Sequence, residues 1–332
     1  MIKYKIGISD YVKGPFNIEK SAFSEPVEFI ELNLDKNKNN KLINNCDALL
    51  VWNAAIDKNI ISMLDNCKIV VRYGVGYDAI DLEQLEKASI PICNTPDYGT
   101  EEVADTAVSM ILSFHRSILE YNYLCKEKDS SWIENTYKDM RRSNTRTVGI
   151  IGVGRIGTAV INRLKNFGFN IIGFDPYQPS GHEKAIGYKR VHELKELLNL
   201  SDIISIHTPM TNETKDMVDE DFFKNMKRKS IFINTARGSI LKNLDCLYFA
   251  LKNNYISGAG LDVLPEEPPK DHILIKEWKK SQEWIRGRLI INPHSSYYSI
   301  DAWEEMRFKA AETINLFLSK GIIRNQISKV NK

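Results

Sequence analysis

An α/β protein built on parallel sheets is the fold class this sequence predicts, and three observations carry the prediction. Through the first hundred residues, short apolar runs alternate with stretches of helical spacing, the rhythm of strands joined by crossover helices. Between Thr147 and Gly157 an apolar run breaks into glycines and leads straight into a helical pattern. Beyond it, further apolar runs each carry their polar residues at the carboxyl end. At 332 residues the chain is long enough for two such domains with well-buried cores.

Composition narrows the class. A net charge of +2 with 27% charged residues, the lysines scattered among acids, asks for no nucleic-acid partner. Met1 to Lys5 leads directly into a strand, with no signal-peptide core and no apolar run of membrane-crossing length, so a cytoplasmic protein without a membrane partner is expected. The five cysteines, Cys46, Cys67, Cys93, Cys125 and Cys246, form no C-x-x-C pair and no metal-ligand spacing. They read as reduced thiols, mostly core or helix filler, and no metal is expected. The Asn/Lys-rich run from Asp35 to Lys41 reads as a helix start or a surface loop.

In chain order, strands are expected at Tyr4 to Ser9, Val27 to Leu32, Asp47 to Trp52, Lys68 to Arg72 and Ile90 to Asn94. The fourth ends in Arg72, Tyr73, Gly74, Val75 and Gly76, where two closely spaced glycines allow backbone amides to point at an anion with a cation beside them. Asn94 to Gly99 is turn chemistry and a crossing point between domains. Thr100 with Glu101 to Val103 resembles a capped start for a helix running to about Leu124. The stretch from there to about residue 146, with Tyr121, Tyr123, Trp132 and Tyr137, either covers the following domain or meets a second subunit.

The organising stretch comes next. Gly152 permits a sharp turn, Gly154 lets backbone approach a pyrophosphate, and Gly157 lets helix and strand pack closely, which together make a dinucleotide-binding fingerprint. The phosphates of such a ligand sit on the unpaired amides of the new helix. That helix is expected from Ile156 to Phe167, is stopped by Gly168, and is followed by a strand from Ile171 to Asp175. Asp175 lies about 20 residues past the turn, where a carboxylate accepts hydrogen bonds from the adenosine ribose and repels a 2′-phosphate. NAD is therefore predicted over NADP, with Arg155 as the residue that leaves room for NADP.

Strands then follow at Asp202 to His207, at Ser230 to Asn234 leading into Thr235, Ala236 and Arg237, and at Gly258 to Asp262. A regular sheet collects His207, Thr235, Arg237 and Asp262 on one edge beside the glycine turn. The chain closes with a run from Leu289 to His294 and a helix from about Ser299 to Ser319, which packs back on the first domain because nothing else is left for it to cover.

An NAD site with an arginine, a histidine and a glutamate nearby points to hydride transfer at a carbon bearing oxygen. In that scheme Arg237 polarises a carbonyl and holds a carboxylate with its planar fork of donors. His294 exchanges a proton with the carbonyl oxygen. Glu267 orients the far ring nitrogen and favours its charged form, and Asp262 binds on the nicotinamide side.

These motifs, in this order, resemble the D-isomer-specific 2-hydroxyacid dehydrogenases: Arg72 to Asp78, Gly152 to Gly157, His207 to Thr211, Asn234 to Gly238, Leu261 to Pro268, and Pro293-His294. The match runs from about residue 68 to residue 310. The resemblance implies a Rossmann-type doubly wound parallel-sheet domain, residues 100–298, inserted into a smaller flavodoxin-like α/β substrate domain made of residues 1–99 and 299–332. It also implies a cleft active site, a homodimer and a small-molecule substrate bearing a carboxylate or similar anion. Arg237, Glu267 and His294 look like the family's catalytic trio; Glu267 is selected over Glu266 because the family acid sits five residues past the aspartate and just before proline. The implied cofactor set is Gly152, Gly154, Arg155, Ile156, Gly157, Asp175, His207, Thr208, Pro209, Thr214, Thr235, Ala236 and Asp262, with Thr106 on the preceding helix. The implied substrate set is Arg72, Tyr73, Gly74, Val75, Gly76, Tyr98 and Tyr297, the amides of Val75 and Gly76 holding the substrate carboxylate and Trp52 adding to the pocket shape.

Within the family, the turn after Asp175 and the run after His294 look most like the branch of the C-terminal-binding-protein corepressors, which carry tryptophan where this chain has Tyr297. Two departures stand out: a long charged segment from Lys270 to Arg288 with Trp278 and Trp284, and Lys242 where many members have an acid. The expected activity is hydride transfer between nicotinamide and a small D-2-hydroxy acid or 2-keto acid. The alternatives are an NAD(H)-responsive interaction protein like the corepressors, or the same enzyme scaffold acting on a phosphonate or inorganic substrate.

Overall fold

The apolar runs become strands and the amphipathic stretches between them helices, in a computed structural model that describes residues 2–9, 12–34, 40–126, 132 and 140–327. In chain order the first elements are β1 (Tyr4–Ser9), α1 (Asn17–Ser21), β2 (Val27–Leu32), α2 (Asn40–Ile43), β3 (Ala48–Val51), α3 (Lys58–Ile61), β4 (Val70–Arg72), α4 (Leu82–Lys87) and β5 (Ile92–Cys93). There follow α5 (Thr100–His115), α6 (Ile118–Leu124), β6 (Thr147–Ile151), α7 (Arg155–Asn166), β7 (Asn170–Phe174), α8 (His182–Ile186), β8 (Lys189–Arg190), α9 (Leu194–Leu200) and β9 (Ile203–Ile206). The remainder is α10 (Glu220–Asn225), β10 (Ser230–Asn234), α11 (Leu244–Lys252), β11 (Ile256–Leu261), α12 (Ile273–Lys279), β12 (Leu289–Ile291) and α13 (Ile300–Lys320). The chain divides into two compact units, Met1–Gly99 with Tyr298–Lys332, and Thr100–Tyr297.

The first unit holds a five-stranded sheet in the order β2-β1-β3-β4-β5, with every pairing parallel, the flavodoxin-like order. β3 is buried along its whole length, as a parallel strand covered on both faces must be. Ile43, Leu49, Val51, Ile56, Val70 and Leu85 belong to its core. α13 joins this unit by burying Met306, Ala310, Ala311 and Ile314 on one helical face and packing on α1, β3 and β4. A buried ion pair fixes that packing: Arg307 Nε and Nη2 donate to the two oxygens of fully buried Glu19, both at 2.7 Å, and the Tyr73 hydroxyl donates to the same carboxylate at 3.0 Å.

The second unit holds a seven-stranded, all-parallel sheet in the order β12-β11-β10-β9-β6-β7-β8. Strands β6 to β8 run outward to one side and β9 to β12 to the other, a doubly wound Rossmann-type sheet whose order reverses between β6 and β9. Ile150, Val160, Ile161, Leu164 and Ile203 fill the layer on the α5 and α7 face, and Leu197, Phe223, Phe232, Leu247 and Leu261 the opposite one.

Several expectations are corrected. The single helix from Thr100 to about Leu124 is two, because Ser117 turns left-handed (φ 51°) and starts α6 afresh. The short strand β8 was not foreseen, its two residues offering no periodicity to read. The Lys270 to Arg288 segment is a packed part of the second unit: Trp278 Nε1 donates to the Leu289 carbonyl at 3.1 Å, and Arg288 donates to the carbonyls of Ser257, Trp284, Leu251 and Ile256. Most of the Asp35 to Lys41 run, and Tyr137, lie outside the described residues. Burial pushes the thiols of Cys46, Cys67 and Cys93 up to about 11, 12 and 12, consistent with inert core filling, while Cys125 is exposed. Among the described residues no helix is long and apolar enough to cross a membrane, and no group of three or more His, Cys, Asp or Glu side chains could hold a metal ion.

Candidate active site

The glycine turn lies at the strand-order reversal of the second sheet, where ligands of such sheets bind. Gly152 adopts φ +85°, a left-handed conformation, and a Cβ there would come within 2.7 Å of Thr208 Cγ2 and 2.9 Å of the His207 carbonyl carbon. The turn after β6 is thus pressed against the backbone after β9, and only glycine fits. At Gly157 a Cβ would overlap the Gly152 carbonyl oxygen, so the helix start packs on the turn without a side chain. Gly154 is the opposite case: it caps α7 and a Cβ would meet nothing, which leaves open space over the amides of the helix start.

Asp175, just past β7, reaches back to this turn. Its Oδ2 accepts the Val153 amide at 2.8 Å and its Oδ1 the Tyr177 amide at 3.0 Å. The carboxylate therefore shapes the turn as well as standing where a ribose would come. Arg155 is exposed and Ile156 and Thr106 are half-buried. The Thr214 hydroxyl is used within its own loop, donating to the Pro209 carbonyl at 2.7 Å and accepting the Thr211 amide at 2.8 Å.

Three polar atoms at the strand ends are buried without a partner: His207 Nδ1, Thr208 Oγ1 and Thr235 Oγ1. Such groups cost free energy unless something satisfies them. Burial pushes the His207 imidazole down from 6.5 to about 3, so the ring is neutral at physiological pH. Unmet polar atoms at the carboxyl edge, a glycine cradle and an open helix start fit a dinucleotide: the turn and α7 amides would hold its phosphates, Asp175 its adenosine ribose, and Thr208 and Thr235 further oxygens.

Arg237, Glu267 and His294 belong to the same unit. β10 ends at Asn234, whose side chain accepts the Ala236 amide at 3.0 Å and donates to the Arg237 carbonyl at 3.0 Å, fixing the corner that presents Arg237. A Cβ on Gly238 would overlap Leu264 backbone, so this corner lies directly against the loop that carries Glu267. Glu267 Oε1 accepts the Leu264 amide at 2.8 Å, and Oε2 lies 2.7 Å from His294 Nδ1. Burial alone would raise the Glu267 pKa, but the His294 contact, the Leu264 amide and the Arg237 charge outweigh it and hold the carboxyl below its ordinary range. An ionised carboxylate only accepts, so His294 Nδ1 is the donor, which leaves Nε2 unused by Glu267. Glu266 pairs with Lys270 instead.

His294 sits at φ +53°, and Asp262 holds it there. The Asp262 carbonyl accepts the His294 amide at 2.8 Å, and its buried carboxylate accepts the amides of Ser295 at 2.9 Å and Ser296 at 3.1 Å. This aspartate positions the histidine loop, a use the sequence did not announce. Ser205, buried beneath His207, was also missed; its signal was its place two residues before a histidine on a strand, hence on the same face.

In the first unit, the Arg72 to Gly76 loop is clamped by the end of β5. Thr95 Oγ1 accepts the Gly74 amide at 2.5 Å and donates to the Arg72 carbonyl at 3.2 Å, and Asn94 Nδ2 donates to the Val75 carbonyl at 2.8 Å. Among the described residues the amides of Val75 and Gly76 donate to nothing. The Arg72 guanidinium lies over the Trp52 ring, 4.8 Å from its centroid, with Asn53 Oδ1 3.4 Å away. Tyr73 departs from expectation: its side chain is fully buried on Glu19, so only its backbone belongs to the loop. Trp52 packs edge-on against Trp303, and Tyr98 is 8% exposed; Tyr297, which belongs to the second unit, is half-buried.

This geometry defines a protein with a Rossmann-type dinucleotide-binding domain that carries an arginine, glutamate and histidine beside its cofactor edge. Residues 108–296, more than half of the chain, match the profile of the D-isomer specific 2-hydroxyacid dehydrogenase NAD binding domain. The chain is 33% identical over 329 residues to a glyoxylate reductase of Korarchaeum cryptofilum, covering 94% of this chain and 95% of that one. It is 31% identical over 321 residues to a D-3-phosphoglycerate dehydrogenase of Methanocaldococcus jannaschii, covering 96% of this chain but 58% of that longer protein. Among solved structures, a D-lactate dehydrogenase from Aquifex aeolicus complexed with NAD and lactic acid superposes with a TM-score of 0.81 at 25% identity, covering 97% of this chain and 98% of that one. The chain belongs to the D-isomer specific 2-hydroxyacid dehydrogenase family, an oxidoreductase family, and its cofactor is NAD.

Proposed function

We propose that the protein reduces a small 2-keto acid to the D-2-hydroxy acid, or runs the reverse oxidation, with the Arg237, Glu267 and His294 side chains as its chemical machinery. The observation that carries this reading is the 2.7 Å contact between His294 Nδ1 and a Glu267 carboxylate kept ionised beside Arg237. The relatives named glyoxylate reductase and D-lactate dehydrogenase support a small 2-keto or 2-hydroxy acid as the substrate class.

NAD, when bound, supplies or takes up the hydride. The chain does the rest. The Arg237 guanidinium draws electron density from the carbonyl and pairs with the substrate carboxylate. The His294 Nε2 proton goes to the carbonyl oxygen on reduction and returns on oxidation, while Glu267 keeps the ring oriented through Nδ1 and stabilises its charged form. The unused amides of Val75 and Gly76 are suited to a carboxylate. Assembly as a homodimer belongs to the same reading; its support is the exposed apolar side chains of Ile118 on α6 and of Trp132, 52% and 85% accessible.

The test is NADH oxidation by the purified protein against glyoxylate, hydroxypyruvate, pyruvate, an aryl-pyruvate and phosphonopyruvate. Turnover of at least one keto acid is expected. A blank screen alongside tight NADH binding would overturn the enzyme reading in favour of an NAD(H)-responsive interaction protein.

A further inference from the structure

We infer that Ser205 is a positioning residue for the dinucleotide: its hydroxyl donates to His207 Nε2 and fixes the imidazole as the tautomer with hydrogen on Nδ1, a neutral donor for an oxygen of bound NAD. Ser205 lies inside the seven-stranded sheet, fully buried, its strand neighbours Ile150 on β6 and Ile233 on β10. A hydroxyl among isoleucines lowers stability unless it is hydrogen-bonded. Its side chain points to the same face as that of His207, two residues on, and Oγ lies 2.9 Å from Nε2.

The direction of that hydrogen bond follows from what each alternative strands. If Nε2–H donated to Ser205, the serine hydrogen would be locked inside the sheet, since Ser205 makes no other side-chain bond among the described residues. No ligand reaches that position. If the hydroxyl donates, the unmet donor becomes Nδ1–H, which is buried without a partner at the strand end, where the backbone of His207 abuts the Gly152 turn. Either arrangement leaves one donor hydrogen unmet, but only the second leaves it at the strand end, where a ligand oxygen can complete it, so the second is the arrangement of the cofactor-bound protein. Phosphate and ribose oxygens are the acceptors a dinucleotide brings to such a turn. Burial keeps the ring from gaining a second proton, so the donor stays uncharged and its tautomer stays under the control of Ser205.

The inference rests on the cofactor and not on the substrate, so its failure leaves the keto-acid reading standing. The test uses the full chain saturated with NAD, labelled with 15N at histidine, in a long-range 1H–15N correlation spectrum at neutral pH. Of the six histidines, His207 is the one whose signals vanish in His207→Asn. We expect the Nδ1–H form in the wild type and a mixture of tautomers in Ser205→Ala. In fluorescence titrations the NADH Kd should rise about five- to tenfold in Ser205→Ala and in His207→Leu, the loss of one hydrogen bond. His207→Asn, whose amide can place an N–H near the Nδ1 position, should recover most of the loss seen in His207→Leu. An Nε2–H tautomer in the wild type, or a Ser205→Ala protein that keeps both the Nδ1–H form and wild-type NADH affinity, would overturn the assignment. If Ser205→Ala does not fold, the wild-type spectrum and the two His207 variants decide.

Discussion

Acid should destabilise this protein through one buried histidine. Burial holds the folded-state pKa of His207 at about 3, against 6.5 for an ordinary imidazole. Because the folded value is the depressed one, the unfolded chain binds the proton more readily. The stabilisation is therefore fully present above pH 6.5 and is lost as pH falls from 6.5 towards 3. Each pH unit inside that window costs about 1.4 kcal/mol, so at pH 5.0 the loss is about 2 kcal/mol, roughly a thirtyfold change in the folding equilibrium. Denaturant unfolding of the wild type and of His207→Asn at pH 7.5 and 5.0 reads it directly. The wild type should lose about 2 kcal/mol more than the variant across that interval. His115, whose pKa burial also lowers, is present in both proteins and cancels. Glu267, held below 4.5, loses its stabilising contribution only at lower pH, as pH falls through its folded value. Parallel losses in the two proteins would mean that His207 is not a neutral, enclosed ring, and the reasoning built on it would fail.

Other perturbations follow from the same geometry. Gly152→Ala forces a Cβ to within 2.7 Å of Thr208 Cγ2 in a left-handed conformation; it should lower stability by about 1–2 kcal/mol and weaken NADH by more than tenfold in a fluorescence titration, and normal binding would contradict the turn's role. Arg307→Met leaves the Glu19 carboxylate fully buried without its cation; urea unfolding should show a loss of about 3–5 kcal/mol, most of it recovered by adding Glu19→Gln, whereas a neutral single variant would mean the pair does not hold α13. Asp175→Ala should weaken NAD and narrow its advantage over NADP, and because Oδ2 also supports the Val153 amide, NADPH should gain less than NADH loses. Unchanged cofactor constants would count against the ribose role.

The fold was legible because its signals are local. Parallel strands buried on both faces read as plain apolar runs, as in Ala48–Val51, and the glycine turn announces itself by three spaced glycines, two of which, Gly152 and Gly157, stand where a Cβ would collide with backbone. The histidine and a glutamate stood out as residues at strand ends, but the choice of Glu267 over Glu266 came only through resemblance. No spacing rule brings residue 267 to residue 294; that takes β11 and β12 lying side by side, with Asp262 at the end of β11 tying down the loop that follows β12. Side-chain direction was least readable. Tyr73 sits in a glycine loop by sequence, yet its ring turns inward to Glu19, a residue 54 positions earlier on a short helix that nothing local links to it. The break at Ser117 was hidden for a related reason, since helical spacing continues on both sides and only the backbone angle interrupts it.

Replacing His294 tests the central claim most directly, because that residue alone is assigned the proton. His294→Gln removes the imidazole and leaves the glycine turn, Asp175 and the cofactor edge in place. With a keto acid from the screen that the wild type reduces, kcat should fall by a hundredfold or more, roughly what positioned acid–base catalysis contributes, while the NADH Kd stays within about twofold. Wild-type turnover by the variant, or a defect confined to NADH affinity, would contradict the account.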